Sequence, residues 1–173
     1  MKNLTFATIV ATVLVLSAFV VKQSVNWKIA DSYSIKFTSK DPSGVFTKMN
    51  GSILFDENNL QGSKFDVKID VNSINTGNGM RNKHAKSEKW FDASKYPTID
   101  FTSSKFAKTA SGYEVTGTLQ IHGVKKEITI PFTFGNSTFA GTFKVNRLDY
   151  QVGNPGKASE ELVIDVTVPV VKG

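Results

Sequence analysis

The chain of 173 residues contains no cysteine. It therefore has no disulfide, no thiolate metal site and no cysteine that could carry a lipid anchor. Histidine is nearly absent, since His84 and His122 are the only two, and neither belongs to a His-x-x-x-His or Glu-x-x-His pattern. We therefore expect no metal site, and we expect the stability of the fold to come from its hydrophobic core.

Motifs of known catalytic chemistry are missing as well. The sequence has neither a Gly-x-Ser-x-Gly element nor a phosphate-binding glycine loop. Glu160 and Glu161 are adjacent before a predicted strand, where neighbouring side chains point to opposite faces, so they cannot act together as acid and base. The sequence predicts no catalytic residue and no cofactor.

The amino terminus has the pattern of an export signal. Lys2 precedes an apolar run from Leu4 to Val21, as a charged n-region precedes an apolar h-region. The run is long and no Ala-x-Ala site ends it, so an uncleaved membrane anchor is the alternative. We expect residues 1–23 to be a signal peptide or an anchor and residues 24–173 to form one domain, exported to the periplasm or the cell envelope.

The formal net charge of +6 is a modest surplus. Lysines alternate with aspartates on the polar faces of predicted strands, which is typical of a solvated surface. The aromatic residues fall on the opposite, apolar faces, where they cannot stack on bases. We therefore expect no binding of nucleic acid.

Eight stretches alternate apolar and polar residues with the two-residue period of half-buried β-strands. Gly51 interrupts the second stretch and predicts a bulge or bend, and Pro169 indicates a strand end or sheet edge. The pattern predicts an all-β fold, an eight-stranded antiparallel up-and-down barrel, with a two-sheet sandwich as the alternative. The stretches are residues 33–38, 45–56, 63–73, 98–107, 112–121, 128–134, 139–145 and 162–171.

The apolar faces of these strands define a predicted interior. Its side chains either pack together as a plain core or line a cavity for an apolar ligand. The candidate ligand-contacting residues of the interior are Phe37, Phe65, Val67, Ile69, Phe101, Tyr113, Leu119, Phe132, Phe143, Val145 and Ile164.

One connection, residues 72–97, is too long for a hairpin loop. Residues 78–89 are compatible with a short helix that would place Met80, His84 and Ser87 on one face. We expect this insertion between the third and fourth strands to cover one end of the barrel. His84 would either pin it to the rim or contact a ligand, and basic residues from Arg81 to Lys89 would face solvent.

Arg147 continues the inward alternation of the seventh stretch just where that strand ends. A buried guanidinium needs a partner. The alternatives are an ion pair with Asp149 or Asp92, a path to solvent along the alkyl stem, or a ligand head group at the barrel mouth.

The segment 81–101, RNKHAKSEKWFDASKYPTIDF, resembles the central signature of the YceI-like family of exported, lipocalin-like proteins that bind polyisoprenoids. Further matches lie at residues 33–37, 73–77, 117–126 and 146–153. The resemblance therefore covers essentially the whole predicted domain.

This resemblance implies an antiparallel barrel around a long apolar cavity. The cavity would hold an isoprenoid chain, such as that of a quinone-type lipid or a prenyl diphosphate, without transforming it. Arg81, His84 and Arg147 are then the candidates at the head-group end. The sequence departs from the family pattern in two places: Ala85 stands where leucine is usual and Asn82 where aspartate is common.

Two other functions are compatible with the same sequence. A filled barrel would act through its outer surface as an interaction protein at the cell envelope. An enzyme acting on a lipid head group would need Arg147, His84 or Glu88 to converge on that group. Transient membrane contact and a homodimer are further open partner predictions.

Overall fold

The computed structural model describes residues 24–173. The predicted signal peptide or anchor, residues 1–23, lies outside the described residues. Within residues 24–173, no helix is long and apolar enough to cross a membrane.

The described chain folds into a single sheet of eleven strands with one short helix, α1, and three 3₁₀ turns. The helix is Gly79–Ala85, and the 3₁₀ turns are Leu60–Gly62, Val71–Ser73 and Arg147–Tyr150. The strands are β1 (Asn26–Ile29), β2 (Ser34–Thr38), β3 (Gly44–Phe46), β4 (Met49–Leu54), β5 (Lys64–Asp70), β6 (Ile74–Asn75), β7 (Thr98–Thr109), β8 (Gly112–Ile121), β9 (Val124–Gly135), β10 (Thr138–Asn146) and β11 (Glu161–Lys172).

The sheet closes on itself as an antiparallel barrel. Eight strands form the ring, in the order β1, β4, β5, β7, β8, β9, β10 and β11, and β11 pairs back onto β1. The short strands β2, β3 and β6 continue the lines of β1, β4 and β5 beyond a break in each. β2 pairs with both β11 and β3, and β3 pairs with β6. The predicted eight-stranded barrel is confirmed, and the two-sheet sandwich is wrong.

The first strand of the barrel begins earlier in the chain than the sequence pattern indicated. Residues Asn26–Ile29 form β1, which lies before the first predicted stretch, residues 33–38. Trp27 in this strand is buried, and its Nε1 donates to the carbonyl of Phe55 at 3.0 Å. A turn at residues 31 and 32, both polar, separates β1 from β2 and ends the apolar alternation between them.

The predicted edge at Pro169 is wrong, because β11 is paired on both sides. β11 pairs with β10 at residues 161–169, with β2 at residues 163–167 and with β1 at residues 170–172. Pro169 lies opposite the break between β1 and β2, where a missing N–H leaves no ladder bond unmade. Its carbonyl still accepts from the N–H of Ala30 at 2.9 Å.

Gly51 lies inside the continuous strand β4. The interruption of this part of the sheet falls earlier in the chain, between β3 and β4. Gly51 has a φ of +144°, and a Cβ at this position would overlap the Asp66 carbonyl oxygen of β5. Only glycine fits this close approach of two backbones.

The helix of the insertion is shorter than predicted. The Asn78 side chain caps its start by accepting from the N–H of Arg81 at 3.0 Å, and α1 ends at Ala85. The chain then folds back on the helix end, because the N–H of Phe91 donates to Ala85 at 3.0 Å and that of Ala93 to Lys86 at 3.0 Å.

The connections separate into two ends of the barrel. The loops at residues 55–63, 110–111 and 135–137 lie at one end, together with both ends of the described chain. At the other end lie residues 39–43, the insertion at residues 76–97, the turn at residues 122–123 and the loop at residues 147–160. We call these the floor end and the mouth.

Candidate functional site

The interior of the barrel is hollow beneath the mouth. An upper chamber of about 330 Å³ opens between the insertion and the loop at residues 147–160. A lower chamber of about 140 Å³ lies deeper in the barrel. The two chambers share lining from six side chains, Ile35, Ile69, Ile99, Leu119, Phe143 and Val166.

The floor end is filled by aromatic rings. Phe55, only 1% exposed, lies at the centre, with ring centroids of six neighbours 5.3 to 6.3 Å away. Edge-to-face and tilted contacts of this kind are favourable ring geometries. We call this set the aromatic cluster: Trp27, Phe55, Phe65, Phe106, Tyr113, Phe132, Phe134 and Phe139.

The interior is therefore part core and part cavity. The sequence left a packed core and a ligand cavity as alternatives. The floor end is a packed core, and the half of the barrel beneath the mouth is a cavity. Phe143, Ile164 and Val166 line the chambers and are only half-buried although they lie on the inner face. Other protein groups leave the apolar surface of these side chains uncovered. Contact of this surface with water is unfavourable, so binding of an apolar ligand in the chambers is favoured.

Three segments form the rim of the mouth and are tied to one another. The N–H of Asp41 donates to Ser159 Oγ at 3.2 Å, and the N–H of Ser159 donates to the Asp41 carbonyl at 2.9 Å. Asp41 also forms an ion pair with Arg81 of α1 at 3.3 Å. Both charged side chains are largely exposed, so this pair adds little stability.

Arg147 is the one charged residue among the buried side chains of residues 24–173, with 6% exposure. Its guanidinium donates to four backbone carbonyls, those of Ser159 at 3.0 Å, Val152 at 2.7 Å, Asn154 at 2.9 Å and Ala158 at 3.0 Å. The predicted ion pairs with Asp149 or Asp92 are wrong, since Asp149 pairs with Lys126 at 3.2 Å and neither aspartate bonds to Arg147. The carbonyls solvate the cation and fold the loop around it.

Arg147 also joins this loop to the insertion. Its guanidinium lies over the Trp90 ring, 5.2 Å from the centroid, and Trp90 meets the His84 ring edge-to-face at 5.8 Å. Phe91 meets Phe46 of β3 in the same geometry at 6.1 Å. Two contacts therefore hold the insertion against the rest of the barrel, Arg147 on Trp90 and Phe46 on Phe91, while the contact between His84 and Trp90 lies within the insertion.

Asn82 and Ala85 both lie beside the mouth, in different surroundings. The side-chain oxygen of Asn82 accepts from the N–H and the hydroxyl of Thr76, both at 2.8 Å, and so fastens α1 to the end of β6. Ala85 lines the upper chamber. A leucine there would reach further into the mouth.

The structure brings together most of the side chains that the sequence singled out. Phe37, Val145, Ile164, Arg81, His84 and Arg147 line the upper chamber, and Phe65, Val67, Phe101 and Phe132 line the lower one. Ile69, Leu119 and Phe143 line both.

Tyr113 lies in the aromatic cluster, outside the lining of both chambers. Its hydroxyl donates to Glu57 Oε1 at 2.5 Å. This hydrogen bond, together with burial and the glutamate charge, raises the pKa of Tyr113 to about 12. The residue contributes to the floor end of the barrel.

Tyr150 is a lining residue that the strand pattern missed. It is buried, lines the upper chamber, and has a pKa raised by burial and by the negative charge of Asp149. It follows the end of β10 in a 3₁₀ turn, where the two-residue alternation no longer applies. Other lining residues of the mouth that fall outside the predicted strand stretches are Ile74, Trp90, Phe91 and Val152.

The second histidine lies apart from the chambers. His122 occupies the turn between β8 and β9 with a φ of 51°, and its ring packs on Tyr96 at 4.9 Å. Among residues 24–173, no group of three or more histidine, cysteine, aspartate or glutamate side chains is placed to hold a metal ion.

Comparison with known proteins gives one consistent result. Residues 17–170 match the YceI-like domain family. The UPF0312 protein of Yersinia enterocolitica is 31% identical over 140 residues, which cover 75% of this chain and 73% of that protein.

Solved structures share the same fold. BcnA of Burkholderia cenocepacia superimposes with a TM-score of 0.73 at 29% identity, covering 80% of this chain and 96% of that chain. A domain of Saccharophagus degradans, described as a polyisoprenoid binding domain implicated in plant cell wall breakdown, has a TM-score of 0.62 at 17% identity, covering 87% of this chain and all of that one.

Proposed function

This chain belongs to the family of YceI-like domains, and we propose that it is an exported binding protein that sequesters or carries an isoprenoid or similar long-chain apolar lipid. The lipid chain enters the barrel through the mouth and is not transformed there. The observation that supports this most strongly is the upper chamber, because most of its exposed lining surface is apolar and is left uncovered by other protein groups.

The energetic basis is the removal of the lipid chain from water. Each buried methylene contributes about 0.8 kcal/mol, so a chain of modest length binds usefully even after the cost of ordering it. The rigid ring of paired strands holds the chamber open in advance of binding, which lowers that cost.

The polar end of the lipid remains at the mouth in this proposal. Arg81, His84 and Tyr150 line the upper chamber there, and an arginine or histidine can pair with an anionic or hydroxylated head group. Arg147 is already bonded to four carbonyls, so its main effect is to hold the loop that forms one wall.

Binding without catalysis agrees with the arrangement of these groups. Arg81 is paired with Asp41, His84 contacts Trp90, and Arg147 is bonded to the loop. No nucleophile and base lie together among them. Substrate turnover abolished by alanine at His84 or Arg147 would contradict this part of the proposal.

The insertion is the proposed site of transient membrane contact. Met80 of α1 is 78% exposed, and the basic residues Arg81, Lys83, Lys86 and Lys89 follow it in the sequence. An exposed apolar side chain among cations fits the interface of an anionic membrane. The lipid would pass between the membrane and the mouth there.

The test is the recovery of a guest from the protein. Protein purified from its source is extracted with organic solvent, the extract is analysed by mass spectrometry, and the emptied protein is titrated with prenyl alcohols. We expect a prenyl or comparable lipid in the extract and saturable uptake by the emptied barrel. Absence of both would contradict the proposal.

A pair of neighbouring substitutions controls this experiment. Val166 lines both chambers and Thr167 is exposed on the outer face of the same strand. Val166→Asp should abolish uptake because it charges the interior, whereas Thr167→Asp should bind like the wild type. Equal uptake by the two variants would show that the guest does not occupy the barrel.

A further inference from the structure

We propose that the aromatic cluster is a floor that limits how much of a chain the barrel encloses, to about three isoprene units. This inference rests on the proposed function, because it concerns the length of the guest in the same chambers. It assigns a specificity-determining role to Phe65, Phe132 and Phe139.

These three rings form the boundary between cavity and core. All three line the lower chamber, and all three contact Phe55, at centroid distances of 6.3, 5.6 and 5.3 Å. Phe134 supports Phe139 from behind at 4.4 Å. Because such cores are close-packed and costly to open, a chain that reaches these rings stops there.

The depth above the floor can be read along β11. Leu162 lines the upper chamber, Val166 lines both, and Val168 lines the lower one. From Leu162 to Val168 the strand advances about 20 Å at about 3.4 Å per residue, and a strand tilt of about 40° reduces this to about 15 Å along the barrel axis.

An extended hydrocarbon with carbon–carbon bonds of about 1.5 Å advances about 1.3 Å per bond. The depth therefore accommodates about twelve chain carbons, the backbone of about three isoprene units. Units beyond these stay at the mouth, where Arg81, His84 and Lys157 replace the continuous apolar wall, and they add little to affinity.

The test is a titration of emptied protein with geranyl, farnesyl, geranylgeranyl and longer prenyl diphosphates. Up to the farnesyl chain we expect affinity to rise at least about tenfold for each added unit, because each methylene removed from water is worth about fourfold. Beyond it we expect less than about threefold per unit.

Three variants locate the limit. Phe139→Ala removes a floor ring and should move the plateau to a chain longer by about one unit. Phe106→Ala removes a ring of the same cluster that lines neither chamber and should leave the plateau unchanged. Val166→Phe fills the passage between the chambers, without deleting any core group, and should move the plateau to a shorter chain.

The outcomes separate this inference from the proposed function. Failure of the wild type to bind any prenyl diphosphate or alcohol overturns both. Affinity that rises steadily through the longest chain leaves lipid binding intact and overturns the length limit. A plateau that stays fixed in both Phe139→Ala and Val166→Phe, with either protein folded, overturns the assignment of the floor.

Discussion

At the scale of single residues, Arg147 illustrates how a buried charge can be accommodated without a carboxylate. Its five donors are fixed in a planar fork, which suits several carbonyls that converge from one loop. The sequence identified the residue as inward-facing and in need of partners. It could not identify the partners, because backbone carbonyls carry no sequence signal.

The conservative variant Arg147→Lys tests this role. An ammonium group cannot bond to four separated carbonyls, so we expect the free energy of unfolding to fall by about 2 kcal/mol. Denaturant titration measures this, and hydrogen exchange should accelerate at residues 152–159. Unchanged exchange in that loop would contradict the role, and Lys144→Arg, an exposed position on β10, is the control.

Ala85 is a second residue with a direct test. Ala85→Leu places a larger apolar side chain at a position that lines the upper chamber. We expect the larger side chain to narrow the mouth and to slow association of a prenyl chain several-fold in stopped-flow measurements. Lys83→Leu, exposed on the same helix, should associate at the wild-type rate, and equal rates for all three proteins would contradict the prediction.

Tyr113 gives the floor end a pH dependence of known sign. Its pKa is raised from an ordinary 10.0 to about 12 in the fold. Below pH 10 the hydroxyl is protonated in both the folded and the unfolded chain, so its hydrogen bond to Glu57 makes its full contribution to the free energy of unfolding. Between pH 10 and about 12 the unfolded chain loses the proton first, and that stability declines.

Tyr113→Phe isolates this contribution from the titration of lysines. The difference in unfolding free energy between wild type and Tyr113→Phe should be constant up to about pH 10 and shrink toward pH 12. A difference that does not change with pH would contradict the assigned bond.

At the scale of elements, the strands were predictable and their interruptions were not. Side-chain alternation follows from the geometry of a strand, so the apolar faces of β5, β8, β10 and β11 could be read from the sequence. The breaks between β1 and β2 and between β3 and β4 depend on how the neighbouring strands of the barrel curve. The local alternation of apolar and polar residues carries no information about that curvature.

The insertion shows the same limit. Its existence and its helix could be inferred from length and composition. The early end of α1 at Ala85 depends on the chain folding back to bond with that helix end, which is a tertiary effect.

The proposed membrane contact is tested at this scale. Met80→Ser should reduce binding to vesicles of anionic phospholipid several-fold, and added salt should weaken binding by the wild type. Val171→Ser removes the other largely exposed apolar side chain of the described chain, 55% exposed at the floor end. Similar losses in the two variants would contradict docking through the insertion.

At the scale of the whole molecule, the two halves of the interior differ in how they are filled. Rings pack against one another at the floor end, whereas branched side chains such as Ile69, Ile164 and Val166, together with the rings of Phe37 and Phe143, line the hollow half. The sequence predicted that many of these residues, among them Phe65, Phe132, Ile69 and Ile164, face inward, but it did not predict this for Trp27 and Phe106. It could not decide between core and cavity, because that depends on which rings meet across the interior from strands far apart in the sequence.

The central claim is that an apolar chain lies inside the barrel, and its position can be measured directly. In emptied protein with methyl-labelled leucine, isoleucine, valine and methionine, we expect intermolecular nuclear Overhauser effects from a bound farnesyl chain to Leu119, Ile164 and Val166. Effects confined to Met80 and Val171, on the outside of the molecule, would contradict the account.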